Sequence, residues 1–357
     1  MGDGENKNPA IISQKRVHKI MQPLSLLDKT KFALRRVYNL VDHRLLVVSF
    51  EVTLSCNCNC RHCDLGGFRK EGKVMKPEDY ARIVRELKPL VVQLSGGEAL
   101  LRPDILEIVR KTKQFGRLPY TILVTNGVLL NGDIYLKLKE SDLNQLSISL
   151  DFPDKRHDDF RRHPGLFGHL EETVPKLAKY GFNDIVLNTA ITRANFREVI
   201  PLAKKAMEWG VRISYSAYTS LRTGNKNYAF ENEEDLETLR QTIKELIEFK
   251  RKTNCIVNSK TVLLKTLKFL EQGYMSNCQA GLKFLVVMPD GSFIPCSMRR
   301  EKFSNLKDLR EKFSRQNLCN GCCGCYVSVR CYSERSFWEE LKEIPEYLKM
   351  VPGSLAE

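Results

Sequence analysis

The sequence predicts an α/β fold on a parallel sheet, open or curled into a partial barrel, followed by a small cysteine-rich α+β unit. Three observations carry that prediction. Six apolar runs with strand character alternate with amphipathic helical stretches between residues 45 and 218. The alternation stops near residue 230, where long charged helices and a hairpin take over. Seven of the 12 cysteines fall between residues 278 and 331. Parallel strands need crossovers of a dozen or more residues, and the intervening helices supply them.

Residues 1–23 are polar and mixed and read as an arm. From Leu24 to Arg44, Leu27, Leu34, Val37, Tyr38 and Val41 recur at helical spacing, while Lys29, Lys31, Arg35 and Arg36 occupy other faces. This predicts a basic amphipathic helix, packed on the main domain or docked on an anionic membrane surface or a partner. Strands are expected at 45–54, 90–95, 121–126, 143–151, 184–192 and 211–218. Helices are expected at 76–90, 102–116, 132–142, 169–181 and 196–210, several closed by glycine in the C-cap manner. Beyond them come helices at 234–252 and 259–273 and a hairpin at 284–296 that turns on Pro289, Asp290 and Gly291. The organisation is therefore an N-terminal arm and helix (1–46), an α/β domain (47–230) and a cysteine-rich C-terminal domain (231–357).

The composition is that of a globular protein, 42% hydrophobic and 28% charged. No apolar run approaches the roughly 18 residues of a spanning helix, and no secretory signal opens the chain, so a cytoplasmic location is expected. The net charge of +14 spreads over 57 Lys and Arg and 43 Asp and Glu. It permits nucleic acid, an anionic membrane surface or an acidic substrate as partners, and equally a lysine-rich solvated surface. Cysteines clustered in two islands favour metal or cluster ligation over disulfides.

Cys56, Cys60 and Cys63 form CxxxCxxC directly after the first strand, with Cys58 inside the longer gap. Structural zinc draws two ligand pairs separated by a dozen or more residues; one short loop suits a corner of an iron–sulfur cube. Three thiolates leave one iron open to a small molecule.

That loop, with "SGGE" at the end of the second strand, resembles the radical S-adenosylmethionine (SAM) superfamily. The resemblance implies a partial (βα)6 barrel of parallel strands. It also implies a [4Fe–4S] cluster on Cys56, Cys60 and Cys63, whose open iron chelates SAM and cleaves it reductively to a 5'-deoxyadenosyl radical. Gly96, Gly97 and Glu98 would receive the methionine amino group, since glycines admit close approach and a carboxylate complements an ammonium. His62 stands where the family carries an aromatic residue over the adenine. Asn126, Ser149 and Arg161 fall where relatives contact ribose, adenine and carboxylate; strand-end residues satisfied by backbone are the alternative. Cys58 would be a spectator.

The second island resembles the SPASM or twitch extension of the same superfamily: Cys278, Gly291 and Cys296, then Cys322, Cys325 and Cys331, with Cys319 and Cys323 extra. Arg335 stands where a full SPASM pattern has a further cysteine. The resemblance implies one or two auxiliary [4Fe–4S] clusters; a four-thiolate zinc site is the alternative. Cys255, far from both islands, reads as a buried apolar thiol.

The expected activity is hydrogen abstraction from a substrate by a radical SAM oxidoreductase, transferase or lyase supplied with electrons by a ferredoxin or flavodoxin. A peptide or protein side chain leads as substrate; a membrane lipid or isoprenoid, reached through the N-terminal helix, and a small metabolite are alternatives. Tyr215, Tyr218, Arg222 and Thr223, at the end of the sixth strand and in the loop it runs into, face the mouth where barrels bind ligands; core packing of the tyrosines is the alternative. A non-catalytic metal-binding scaffold or nucleic-acid binder would explain the charge and the cysteines, but has no use for "SGGE".

Overall fold

The computed structural model describes residues 26–42, 44–113, 118–315, 322–334 and 339. Helix α1 (Leu26–Val41) is followed by β1 (Val47–Thr53), α2 (Pro77–Leu87), β2 (Val91–Gly96), α3 (Ile105–Thr112), β3 (Tyr120–Thr125), α4 (Gly132–Glu140) and β4 (Gln145–Ser149). Then come α5 (Arg156–Arg161), α6 (Leu166–Ala178), β5 (Ile185–Ile191), α7 (Val199–Glu208) and β6 (Arg212–Ala217). The remainder holds α8 (Glu233–Lys252), α9 (Lys260–Gln272), β7 (Phe284–Val287), β8 (Phe293–Ile294), α10 (Leu306–Leu309) and α11 (Ser328–Ser333).

The helices form where the sequence places apolar residues one turn apart and marks the ends. In α2, Pro77 starts the helix, Tyr80, Ile83, Val84 and Leu87 make the buried stripe, and Lys88 ends it in the left-handed region. In α9 the Ser259 side chain accepts from the Val262 N–H, and Gly273 closes the helix at φ +72. Helix α8 opens on Glu233, Glu234 and Asp235 and ends on Lys250, Arg251 and Lys252, in keeping with its dipole.

One sheet runs β6-β5-β4-β3-β2-β1-β7-β8. Strands β1 to β6 are parallel, β7 adds in parallel to β1, and β8 pairs antiparallel with β7. The predicted hairpin thus extends the barrel sheet: Phe50 stands in register with Val287 on one side and Leu94 on the other. The sheet is curled, because a single cavity of about 340 Å³ touches side chains from every strand from β1 to β6. Helix α11 contacts both β6 and β7. Six helical residues span only about 9 Å, so the two sides of the sheet come close, and α11 fills the gap. The free edge of β6 is covered by residues 255–257, with Ile213 N–H donating to the Cys255 carbonyl and Val257 N–H to the Ile213 carbonyl, both at 2.8 Å.

Part of the apolar stripe expected on helix α1 is exposed. Leu34, Val37 and Tyr38 are 64%, 59% and 49% exposed. Asn39 is buried, its amide donating to the carbonyls of Leu45 (2.9 Å) and Lys88 (3.1 Å), and Phe32 meets Tyr120 edge to face. Two specific hydrogen bonds at the foot of β1 hold the helix, while Leu34, Val37 and Tyr38 face outward. No described helix is long and apolar enough to cross a membrane.

Candidate active site

The loop after β1 is folded back on itself. Cys56 N–H donates to the Gly67 carbonyl at 3.0 Å, Gly67 N–H to the Cys58 carbonyl at 3.2 Å, and Cys63 N–H to the Cys60 carbonyl at 3.2 Å. Asn59 and Arg61 N–H groups bond the carbonyls of Arg161 and Phe160, pinning the loop to α5. Cys56, Cys58 and Cys60 are buried and Cys63 is half-buried.

Each of the three cysteines in CxxxCxxC spacing receives an N–H donor from a different element. Asn126 Nδ2 lies 3.7 Å from Cys56 Sγ, Arg161 Nη1 lies 3.7 Å from Cys60 Sγ, and Arg222 Nη2 lies 3.6 Å from Cys63 Sγ. The Cys58 thiol instead bonds the thiols of Cys56 and Cys60, which raises its own pKa and lowers each of theirs to about 7. Burial raises the Cys63 thiol, with Arg222 opposing. Two guanidiniums and an amide directed at thiols are what buried thiolates and a cluster require to offset their negative charge. Among the described residues no three His, Cys, Asp or Glu side chains close on one point as ligands of a single metal ion do. The fit of these thiols to a cluster therefore rests on the donors around them.

The turn after β2 lies against the end of β1. Gly97 N–H donates to the Thr53 carbonyl (2.8 Å) and Glu98 N–H to that of Ser55 (2.9 Å). A Cβ on Gly96, at φ +136, would stand 2.1 Å from the Thr53 oxygen, and one on Gly97 2.1 Å from the Ser55 oxygen. Only glycine fits at either position. Glu98 is buried and ties β2 to β3: one oxygen accepts from Leu100 N–H (2.9 Å) and Thr125 hydroxyl (2.7 Å), the other from Asn126 N–H (2.7 Å). Burial pushes its carboxyl above the ordinary value against those bonds. Three bonds on a group with about four acceptor positions leave one for a ligand.

Asn126 braces the cysteine loop a second time, donating to Asn57 Oδ1 at 2.7 Å. Ser149 ends β4 in register with Asn188. Arg161 is buried and paired with Asp151, Nε and Nη2 each 2.7 Å from Oδ2. Burial opposes the charge on Asp151, but Arg161 holds its carboxyl below the ordinary range. His62 stacks on Phe160, centroids 4.6 Å apart, and burial lowers its pKa to about 4, as it does for His157. His62 Nδ1, Asp151 Oδ1 and His157 Nε2 are buried without a hydrogen-bond partner. Orphaned polar atoms at the cysteine loop, the end of β4 and α5 are the kind a bound polar ligand satisfies, and they fit SAM beside the cluster loop. The sequence does not single out Asn57, Asp151 or His157; Asp151 follows two residues after Ser149, and the other two carry no signal.

Below this site the cavity is lined by Gln93, Gln145, Ser147, Asn188, Ser214 and Ser216, with Arg36 and Arg212 at its lower end and no carboxylate. Tyr332 of α11 reaches in, its hydroxyl 3.2 Å from Ser214 Oγ. Tyr215 is a core residue bonded to the Val199 carbonyl at 2.6 Å, while Tyr218 and Thr223 bond each other at 2.9 Å in the loop after β6.

In the C-terminal part, Cys278, Cys296, Cys322 and Cys325 come together. The Cys278 and Cys322 thiols are hydrogen-bonded, raising the first and lowering the second to about 6. Burial pushes Cys296 up to about 12, helped by the charges of Cys325 and Cys322. Arg330, 1% exposed, binds the frame of this group, donating to the carbonyls of Met275 (3.1 Å), Ser276 (3.0 Å) and Cys325, and pairing with Glu334 at 2.9 and 2.8 Å. Cys323 is exposed, and Cys331 lies in the main core with Sγ 3.6 Å from the Tyr326 carbonyl. Cys319 lies outside the described residues. Cys255 is buried beside β6, and burial raises its thiol.

Residues 50–206 match the family model described as Radical SAM superfamily. The AdoMet-dependent heme synthase of Methanosarcina barkeri (strain Fusaro / DSM 804) is 32% identical over 184 residues, 50% of this chain and 51% of that one. The chain thus spans about half the length of that relative. Streptococcus suis SuiB bound to precursor peptide SuiA superposes with a TM-score of 0.60 at 19% identity, covering 86% of this chain and 73% of its own. Native anSMEcpe with bound AdoMet and Cp18Cys peptide gives 0.58 at 18% identity, covering 86% and 99%. Both are likenesses of fold.

Proposed function

For a chain that carries a radical SAM domain, we propose that Cys56, Cys60 and Cys63 hold the domain's [4Fe–4S] cluster and that the substrate sits in the cavity beneath it. The observation that carries the ligand assignment is the separate N–H donor on each of these three thiols, against a Cys58 thiol that meets its two neighbours. When bound, the reduced cluster and SAM supply a carbon radical that takes hydrogen from an unactivated C–H bond.

The chain's own residues do the rest. Gly96 and Gly97 keep the turn after β2 bare enough for an ammonium to reach backbone carbonyls, and Glu98 offers its remaining acceptor position. His62, Asp151 and His157 present buried polar atoms to the rest of the SAM molecule, and Ser149 is placed at the same strand end. Arg161 acts on the cluster side, joining Asp151 to Cys60. The curled sheet excludes water from the reacting carbon.

Cys278, Cys296, Cys322 and Cys325 would hold one auxiliary [4Fe–4S] cluster with every iron ligated by protein; Cys319, Cys323 and Cys331 would serve only if a second were present. A peptide or protein side chain is the proposed substrate, a reading supported by the peptides in the SuiB and anSMEcpe structures. A small anionic metabolite is the second reading, favoured by a cavity with two arginines at one end and no carboxylate.

The test is anaerobic reconstitution, iron counting and detection of 5'-deoxyadenosine after reduction. The Cys56, Cys60, Cys63 triple alanine variant should lose about four irons and all SAM cleavage while keeping about four, one cube's worth. Retained cleavage would overturn the assignment, as would iron loss on Cys58→Ala alone. Substrate class is read from which deuterated candidate, a peptide or a small acid, delivers deuterium to 5'-deoxyadenosine.

A further inference from the structure

The loop after β6, residues 218–225, runs between the two cysteine sites. It is locked from within: Tyr218 hydroxyl donates to the Asn225 carbonyl at 2.9 Å, and Gly224 N–H to the Ser220 carbonyl at 2.7 Å. From this frame Arg222, its side chain 13% exposed, meets three partners with one guanidinium. Nε and Nη2 pair with the Asp64 carboxylate, Nη2 also lies 3.6 Å from Cys63 Sγ, and Nη1 reaches the Ser297 carbonyl, next to Cys296, at 3.4 Å. The same loop also holds the Cys322–Cys325 turn: Thr219 Oγ1 donates to the Gly324 carbonyl at 2.7 Å, and a Cβ on Gly324 would stand 3.4 Å from Leu221.

We propose that Arg222 is a positioning residue shared by both cysteine sites, fixing the Cys63 corner of one against the Cys296 corner of the other with its positive charge between them. This rests on the reading that both sites carry clusters. A lysine has the charge but lacks the planar fork needed to meet a carboxylate, a sulfur and a carbonyl at once. A cation beside a thiolate-bound cluster favours the reduced form, which carries one more negative charge, and so raises its potential. Arg222 therefore holds geometry and potential together.

The experiment compares wild type, Arg222→Ala, Arg222→Gln and Arg222→Lys as full chains. In the iron-free protein, hydrogen exchange should rise together around residues 61–66 and 295–299 in Arg222→Ala. In the reconstituted protein, a redox titration followed by electron paramagnetic resonance should show the midpoint of the Cys56, Cys60, Cys63 cluster fall in Arg222→Ala and Arg222→Gln and return toward wild type in Arg222→Lys. Unchanged exchange at both segments, or an unchanged midpoint in Arg222→Gln, would overturn the proposal. If Arg222→Ala fails to take up iron, the Gln and Lys variants still give the potential and the iron-free exchange still gives the geometry. A wild type that binds no iron at Cys56, Cys60 and Cys63 would remove the cluster reading instead, leaving exchange to judge the bridge.

Discussion

Replacing Arg330 by alanine removes a guanidinium that is 1% exposed and strands four groups at once: the Glu334 carboxylate, itself 9% exposed, and the carbonyls of Met275, Ser276 and Cys325. Breaking one side of a buried ion pair costs about 3–5 kcal/mol, because the remaining charge is kept from water with its main partner gone; here the Gln279 N–H, 2.7 Å from Glu334 Oε1, is left to answer it. At roughly 1.4 kcal/mol per tenfold, that is a loss of about two to three and a half orders of magnitude in the local folding constant. Denaturant unfolding under anaerobic conditions should show the loss, and hydrogen exchange should place it at residues 275–280 and 322–334. Burial already raises the Glu334 carboxyl, and without Arg330 it rises further. The folded variant then binds more protons than the unfolded chain. Its deficit should be smallest below the ordinary carboxylate pKa, grow as pH rises through the folded value, and be full above it. Pairing Arg330→Met with Glu334→Leu should recover most of the loss, since apolar residues of similar volume replace buried pairs well. The reasoning is refuted if Arg330→Ala unfolds within about 0.5 kcal/mol of wild type, the range of ordinary surface changes, or if the double variant is no better than the single.

Gly97→Ala should weaken SAM binding measurably and destabilise the fold by about 1–3 kcal/mol, because its Cβ would meet the Ser55 oxygen at 2.1 Å; titration calorimetry and unfolding together check this, and wild-type values in both would count against the cradle. Glu98→Ala, which leaves the Thr125 hydroxyl and two N–H groups unmet, should cost about 1–3 kcal/mol of stability as well as affinity, and thermal unfolding at wild-type temperature would contradict that. Leu34→Glu with Val37→Glu should leave stability within about 0.5 kcal/mol, as both are exposed, yet abolish flotation with anionic liposomes if the stripe docks there; equal flotation of variant and wild type would remove the membrane role.

Much of this architecture was legible because strands in a parallel sheet are buried on both faces and so read as continuous apolar runs. Val47–Thr53 is buried along its whole length and fell inside its expected 45–54 run. The C-terminal hairpin was equally plain, but its pairing with β1 was not: Phe284 to Val287 must find Val47 to Phe50 across more than two hundred residues, a choice made by closure of the sheet. The hold of Asn39 on two carbonyls at α1 was equally hidden, a polar anchor that apolar periodicity ignores. At the site, cysteine spacing and "SGGE" announced themselves locally. Asn126, Arg161 and Arg222 were legible too, but as contacts to ligand; their place on the thiols was hidden, since Arg161 and Arg222 lie 101 and 159 residues from the cysteines they touch.

Helix α11 begins three residues after Cys325 and supplies Tyr332 to the cavity wall. Cysteines of the C-terminal island and a side chain that faces the cavity thus belong to one short stretch of chain. A disturbance of the Cys322–Cys325 turn has only a few residues to travel before it reaches the cavity wall: Gly324 is tied to the loop after β6 by the Thr219 hydroxyl, and Tyr332 follows on the helix that starts at Ser328.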